Sequence, residues 1–120
     1  MGMFRNILLV ALGGAVGSVC RYLLSCFNAS FPWGTFVVNI LGCLFIGLLV
    51  GLVSKGALSS EMKLLLVTGF CGGFTTFSTF ANESFGMMKA GDALLMALYV
   101  GASVIIGILA VWLGMNISNN

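Results

Sequence analysis

Residues 69–80 of this chain read Gly-Phe-Cys-Gly-Gly-Phe-Thr-Thr-Phe-Ser-Thr-Phe, and they interrupt an otherwise apolar segment. The run that leads into them, Leu64–Phe70, is apolar and suits a helix. Gly72 and Gly73 follow, and then hydroxyl residues alternate with phenylalanine. Paired glycines and β-branched side chains both weaken a helix, since they lose more conformational freedom on forming one. The sequence therefore predicts a helix that is broken near residues 72–79.

The composition around this stretch indicates a membrane protein. Of 120 residues, 60% are hydrophobic and 7% are charged, whereas soluble domains have about 45–50% and about 25%. A soluble domain of this size buries too small a share of its surface to hide so many apolar side chains. The net charge of +2 and the lack of a basic stripe argue against nucleic-acid binding.

Four stretches with few charges are each long enough to cross the hydrocarbon core, which takes about 20 residues in a helix. Pro32 separates the first two of them. The predicted spans are Phe4–Cys26, Gly34–Val53, Lys63–Lys89 and Ala93–Met115. The expected fold is thus all-α: one domain over residues 1–120, with four transmembrane helices and a break in the third.

The charges give little information about orientation in the membrane. Four crossings put both termini and the loop after the second span on one side. That side carries three basic residues and the other carries two: Arg5, Lys55 and Lys63 against Arg21 and Lys89. Either the first helix alone decides the orientation, or the chain inserts both ways and forms an antiparallel homodimer.

Small residues at four-residue spacing predict close helix packing in lipid. They form the patterns Gly13-x-x-x-Gly17 and Cys43-x-x-x-Gly47-x-x-x-Gly51 in the first two spans, and Ser103-x-x-x-Gly107 in the fourth. Such patterns occur in many membrane bundles, so they indicate packing and not a particular chemistry.

The broken helix is the main candidate for a functional site. Unwound backbone at membrane depth is tolerated only where protein or a water-filled cavity covers it, and transporters use it to bind ions. Phe77 and Phe80 lie three residues apart and share a helix face. Because a phenyl ring is positive along its edge, two such edges could bind a small anion weakly, as conduction requires. The alternative is that both rings only pack.

Other polar residues in the spans are secondary candidates. Asn39 either holds two helices together or donates to an anion. Tyr99 and Ser103 lie one turn apart and could form a line of hydroxyl donors. Arg21 either extends to the membrane surface or attracts anions into a vestibule. Glu83 is a proton-coupling carboxylate, a structural partner or a vestibule residue.

Two motifs resemble one known family. Residues 69–80, and Pro32–Asn39 with the sequence Pro-Trp-Gly-Thr-Phe-Val-Val-Asn, look like the signatures of the CrcB/Fluc fluoride channels. The placement of Arg21 and Glu83 is similar too, and the resemblance covers essentially the whole chain. It implies an antiparallel, dual-topology homodimer in the cell membrane. Such a dimer is not an enzyme; it passively releases fluoride that has entered the cell as HF.

The resemblance also implies roles for single residues. Phe77 and Phe80 would turn their ring edges to fluoride, and Asn39 would donate a hydrogen bond in the pore. Further pore-lining polar groups would come from Thr79, Tyr99 and Ser103. A structural sodium ion at the dimer interface would be held by the backbone carbonyls of Gly72 and Thr75. This chain has Gly107 where some members of the family carry a second serine.

Two other functions compete with a channel. A small dual-topology antiporter would exchange protons for drugs or other cations, and it would need an intramembrane carboxylate; Glu83 is the candidate. A non-transporting assembly subunit would use the glycine faces for association alone.

Overall fold

The computed structural model describes residues 2–120, which form helices joined by short connections. Three helices are continuous: α1 (Gly2–Ser25), α2 (Trp33–Ser54) and α6 (Ala93–Asn119). The third span, Ser60–Lys89, is composite. It consists of α3 (Ser60–Lys63), a π-helical segment (Leu64–Cys71), α4 (Gly72–Phe74) and α5 (Ser78–Lys89).

All four spans are long and apolar enough to cross a membrane, which confirms the predicted all-helical architecture. The third span begins at Ser60 rather than Lys63, because the Ser59 hydroxyl caps it by accepting a hydrogen bond from the Met62 N–H at 3.2 Å. The fourth continues to Asn119, beyond the predicted end at Met115.

The predicted break in the third span is confirmed and lies at residues 75–77. Gly72 is helical, with φ −62° and ψ −38°, so the paired glycines stand just before the break. The chain leaves the helix at Thr75, whose φ of −85° and ψ of 157° are extended. The third span is therefore two helical halves, residues 60–74 and α5, joined by three non-helical residues.

Glycines bring α1 against the first half of the third span. A Cβ at Gly13 would overlap the Leu65 carbonyl oxygen and lie 2.8 Å from the Phe70 nitrogen. A Cβ at Gly17 would meet the Phe70 carbonyl in the same way. The two backbones thus touch directly, as the small-residue spacing predicts.

A second glycine contact joins α2 to α6. A Cβ at Gly47 would lie 3.0 Å from the Val111 Cα, and one at Gly114 would lie 2.7 Å from the Leu48 nitrogen. The bundle is therefore two close helix pairs, α1 with the first half of the third span and α2 with α6.

Gly56 and Gly91 end α2 and α5. Their φ values are +71° and +85°, a left-handed conformation that favours glycine. At the end of α2, the Ala57 N–H donates to the Leu52 carbonyl at 2.9 Å, and the Gly56 N–H donates to the Val53 carbonyl at 3.0 Å. Such closed turns permit the short connections between spans.

Candidate functional site at the break in the third span

The side chain of Asn39 on α2 spans the break. Its Oδ1 accepts from the Thr76 N–H at 2.9 Å, and its Nδ2 donates to the Thr76 carbonyl at 3.1 Å. This pair of bonds fixes the amide orientation, because a backbone N–H only donates and a carbonyl only accepts. One Nδ2 hydrogen remains beyond these two bonds. The sequence alone left open whether Asn39 joins helices or serves an ion, and this geometry shows that it joins α2 to the break.

The hydrogen bonds made by Thr76 leave the carbonyls of Gly72 and Thr75 without their usual helical partners. In a continuous helix the Thr76 N–H would bond to the Gly72 carbonyl, but here it bonds to Asn39. The Thr79 N–H would likewise bond to the Thr75 carbonyl, but it donates to the Thr76 hydroxyl at 3.3 Å. Both carbonyls assigned to sodium by family resemblance are thus released from their usual helical partners.

Arg21 also contacts this region. Its Nε donates to the Gly73 carbonyl at 3.0 Å, so the guanidinium of α1 is bonded to the last turn before the break. The sequence suggested either extension to the membrane surface or a vestibule role. The structure shows a direct tie between Arg21 and the backbone of the third span.

An open, largely apolar groove of about 560 Å³ runs past the break, between α2, the third span and α6. Most of the residues expected at the site line it: Asn39, Gly72, Thr75, Phe77, Phe80 and Ser103. The Phe77 side chain is 79% exposed, and its ring centroid lies 6.0 Å from that of Phe80 at an interplanar angle of 50°. The two rings therefore share one wall of the groove.

Ser103 adds a polar group to this groove. Its Oγ is buried, and it has no hydrogen-bond partner within residues 2–120. A buried hydroxyl without a partner is costly and calls for an explanation, such as an ion, a water or a partner that completes the site.

Two expected site residues lie elsewhere. Thr79 is not among the residues that line the groove, and its backbone N–H is the one bonded to Thr76. Tyr99 is buried, with 1% of its surface exposed, and its hydroxyl donates to Glu83 Oε1 at 3.0 Å. Tyr99 does pack against the site, since its ring centroid lies 5.0 Å from that of Phe80.

Glu83 is the centre of a hydrogen-bond network that the sequence did not predict. Besides Tyr99, its carboxylate accepts from Thr35 Oγ1 at 2.9 Å and from Asn28 Nδ2 at 3.3 Å. Glu83 and Asn28 also line a second cavity of about 310 Å³, together with Asp92. The sequence signals for these donors are that Asn28 and Thr35 flank the start of α2, where a helix needs capping groups, and that Thr35 lies within the Pro32–Asn39 motif.

The break also brings together two helix ends of opposite polarity. The first half of the third span ends in carbonyls that lack helical partners and carry partial negative charge, and the Gly73 carbonyl among them accepts from Arg21. Helix α5 begins with N–H groups that lack helical partners and carry partial positive charge, and the Thr79 N–H among them donates to Thr76. Phe77 precedes the start of α5 and Phe80 lies in its first turn. The geometry thus suits a cation on the carbonyl side and an anion near the two rings.

A family model described as CrcB-like protein, Camphor Resistance (CrcB), matches residues 8–115. The chain belongs to the CrcB family. This confirms the resemblance seen in residues 69–80 and 32–39. With four spans of suitable length and polarity, this family member is a multi-pass membrane protein.

Curated relatives cover nearly the whole chain. A protein of Phocaeicola vulgatus named fluoride-specific ion channel FluC is 48% identical over 115 residues, which are 92% of this chain and 95% of that protein. A protein of the same name from Flavobacterium psychrophilum is 43% identical, covering 95% and 97% of the two chains. Fluoride-specific ion channel FluC 2 of Rhodococcus jostii is 49% identical, covering 95% and 99%.

Proposed function

We propose that this chain is a fluoride-selective ion channel of the cell membrane, through which fluoride leaves the cytoplasm passively and fluoride toxicity is relieved. The observation that carries the proposal is family membership along nearly the full length, with relatives that are named fluoride-specific ion channels. The groove at the break supplies groups that suit a small anion.

The chemistry of the groove favours weak anion binding without a fixed positive charge. Phe77 and Phe80 present rings whose edges attract negative charge, and both belong to the positive end of α5. The remaining Nδ2 hydrogen of Asn39 and the unpartnered hydroxyl of Ser103 are two further donors along the same groove. Several weak sites in sequence allow an ion to enter and to leave.

A structural sodium ion fits the carbonyl side of the break. Gly72 and Thr75 line the groove, and the N–H groups that would bond to their carbonyls are bonded elsewhere. Carbonyls at a broken helix are typical sodium ligands in membrane proteins. In this proposal Gly72 and Thr75 would hold the ion with the same residues of a second copy, and the ion would supply positive charge that stabilises the assembly.

The assembly that we propose is an antiparallel homodimer. The groove is open, and Phe77 at the break is exposed in the single chain, as are Gly72 before it and Ser78 after it. Because unwound backbone at membrane depth requires cover by protein or a water-filled cavity, a second copy is the natural cover. The near balance of basic residues on the two sides suits insertion in both orientations.

The dual topology has a direct test in the native cysteine at the end of α1. Cys26 is exposed, so a variant that keeps Cys26 and replaces the other three cysteines by serine reports the orientation of each copy. A membrane-impermeant thiol reagent should modify about half of Cys26 in intact vesicles and all of it after permeabilisation. Modification of all or none of Cys26 in intact vesicles would rule out dual topology.

Fluoride conduction is tested with purified protein in liposomes. A channel releases fluoride when valinomycin sets a membrane potential, and the flux needs no proton gradient. A proton-coupled antiporter would instead take up cations when a pH gradient is applied, and an assembly subunit would do neither. Cation uptake driven by pH, or the absence of fluoride flux, would refute the proposal.

A further inference from the structure

Glu83 connects α5 to three other parts of the chain. Tyr99 of α6 donates to one carboxylate oxygen, while Thr35 of α2 and Asn28 of the α1–α2 connection donate to the other. Within residues 2–120, the side-chain hydrogen bonds that join α5 to helices and connections outside the third span all end on this carboxylate. Glu83 is therefore the polar anchor of α5.

Asn28 organises this anchor. Its Oδ1 accepts from the Thr35 N–H at 3.1 Å, and its Nδ2 donates to Thr35 Oγ1 at 3.1 Å as well as to Glu83. Gly34 lets the end of α1 and the following connection lie directly on α2, since a Cβ there would come within 2.9 Å of both the Ser25 Cα and Asn28 Oδ1. Asn28 is thus held against the start of α2, and its amide is aimed at the carboxylate.

The second half of the broken helix depends on such an anchor. The regular backbone hydrogen bonds do not continue across residues 75–77, so the first half does not dictate the rotation of α5 about its own axis. Phe80 lies three residues before Glu83 and therefore on the same face. A rotation of about 10° would move a ring about 6 Å from the helix axis by about 1 Å.

We infer that Asn28 is a positioning residue for the ion path. Through its amide donor to Glu83 it fixes the rotation of α5, and with it the direction in which the Phe80 ring faces the groove. The inference rests on the proposed fluoride conduction and adds to it a residue outside the groove, in a connection between helices. The Phe80 ring also packs against Tyr99, with ring centroids 5.0 Å apart, and Tyr99 is another donor to Glu83.

A donor–acceptor exchange tests this inference. Asn28→Asp keeps the acceptor for the Thr35 N–H but sets a second carboxylate against Glu83, at the position where the amide now lies 3.3 Å away. Two carboxylates at that separation repel each other. The double variant N28D/E83Q restores the pair with its direction reversed, because the amide introduced at position 83 then donates to the new carboxylate.

We expect N28D to reduce fluoride efflux from liposomes about tenfold at equal protein, and N28D/E83Q to return to within about twofold of E83Q alone. Wild-type protein is the reference, and its failure to conduct would refute the proposed function and not this inference. Wild-type flux in N28D, or a double variant no better than N28D, would overturn the inference.

A neutral variant distinguishes a positioning role of Asn28 from a purely structural one. It also tests the inference if N28D does not fold. Asn28→Ala removes the amide, and Ser30→Ala in the same connection is its matched control. We expect N28A to lower the ratio of fluoride to chloride flux several-fold, since a displaced Phe80 ring changes the anion site, while S30A keeps the wild-type ratio. An N28A protein with fewer active vesicles but an unchanged ratio would show a structural role only, and would overturn the inference.

Discussion

Replacing Asn39 by alanine removes both hydrogen bonds that hold the break, and its effect follows from the structure. The Thr76 N–H and carbonyl, now bonded at 2.9 and 3.1 Å, would lose their partners in a part-buried site. Each unsatisfied group costs about 1–3 kcal/mol, so the present conformation of the break would lose about 2–6 kcal/mol. Even the lower figure corresponds to a roughly thirtyfold smaller population of this conformation.

The assay compares fluoride efflux from liposomes with the thermal stability of the same preparations in detergent. We expect Asn39→Ala to lose most of its flux. Asn39→Asp should also lose most of its flux: the aspartate still accepts from the Thr76 N–H, but its second oxygen would face the Thr76 carbonyl oxygen, where Nδ2 now donates at 3.1 Å. Val37→Ala, on an exposed part of α2, is the control for loss of side-chain volume. If Asn39→Ala conducted and unfolded like wild type, the bonds to Thr76 would not be what holds the break.

Three further predictions concern the rings, the glycine contacts and the cation. Phe77→Ile or Phe80→Ile keeps apolar bulk but removes the ring edge, so fluoride flux should fall at least about tenfold while the protein stays folded; wild-type flux would refute the ring-edge role. Gly17→Ala should destabilise the protein by about 1–3 kcal/mol, because its Cβ would lie 2.8 Å from the Phe74 nitrogen. Gly14→Ala, whose Cβ has its nearest contact at 3.7 Å, should melt like wild type, and equal melting temperatures for the two variants would contradict the packing. Replacing sodium by N-methylglucamine should lower both flux and the melting temperature, and unchanged values would exclude a structural sodium ion.

The spans and the break could be predicted from sequence because each depends on local composition. Twenty apolar residues must find lipid wherever they occur in the chain. The glycines and hydroxyl residues at 72–79 weaken a helix whatever surrounds them. The contact faces of Gly13 and Gly17 follow from spacing on one helix, so they too are local.

The partners of the polar groups could not be predicted in the same way, because they lie far apart in sequence. Asn39 reaches Thr76 across 37 residues, and Asn28 reaches Glu83 across 55. Nothing in the local pattern distinguishes an asparagine that binds backbone from one that donates to an ion. The π-helical stretch at Leu64–Cys71 had no distinguishing pattern either, because its residues are ordinary for an apolar helix.

The position of the break shows how tertiary contacts modify a local preference. The predicted break, near residues 72–79, begins at the paired glycines, but Gly72 stays helical and the chain opens at Thr75, within that range. Gly73 lies with its Cα hydrogens against α1, where a Cβ would come within 3.0 Å of the Gly14 Cα. Gly73 thus serves close packing on the helical side, whereas a Cβ at Gly72 would have no neighbour closer than 4.0 Å. The Asn39 side chain bonds to Thr76 in the opened stretch that follows.

The measurement that tests the central claim most directly is anion flux through the purified wild-type chain alone. Liposomes loaded with equal fluoride and chloride receive valinomycin in a potassium gradient, and ion-selective electrodes follow both anions at once. The account predicts that fluoride leaves the vesicles much faster than chloride. Retention of fluoride, or loss of both anions at the same rate, would contradict it.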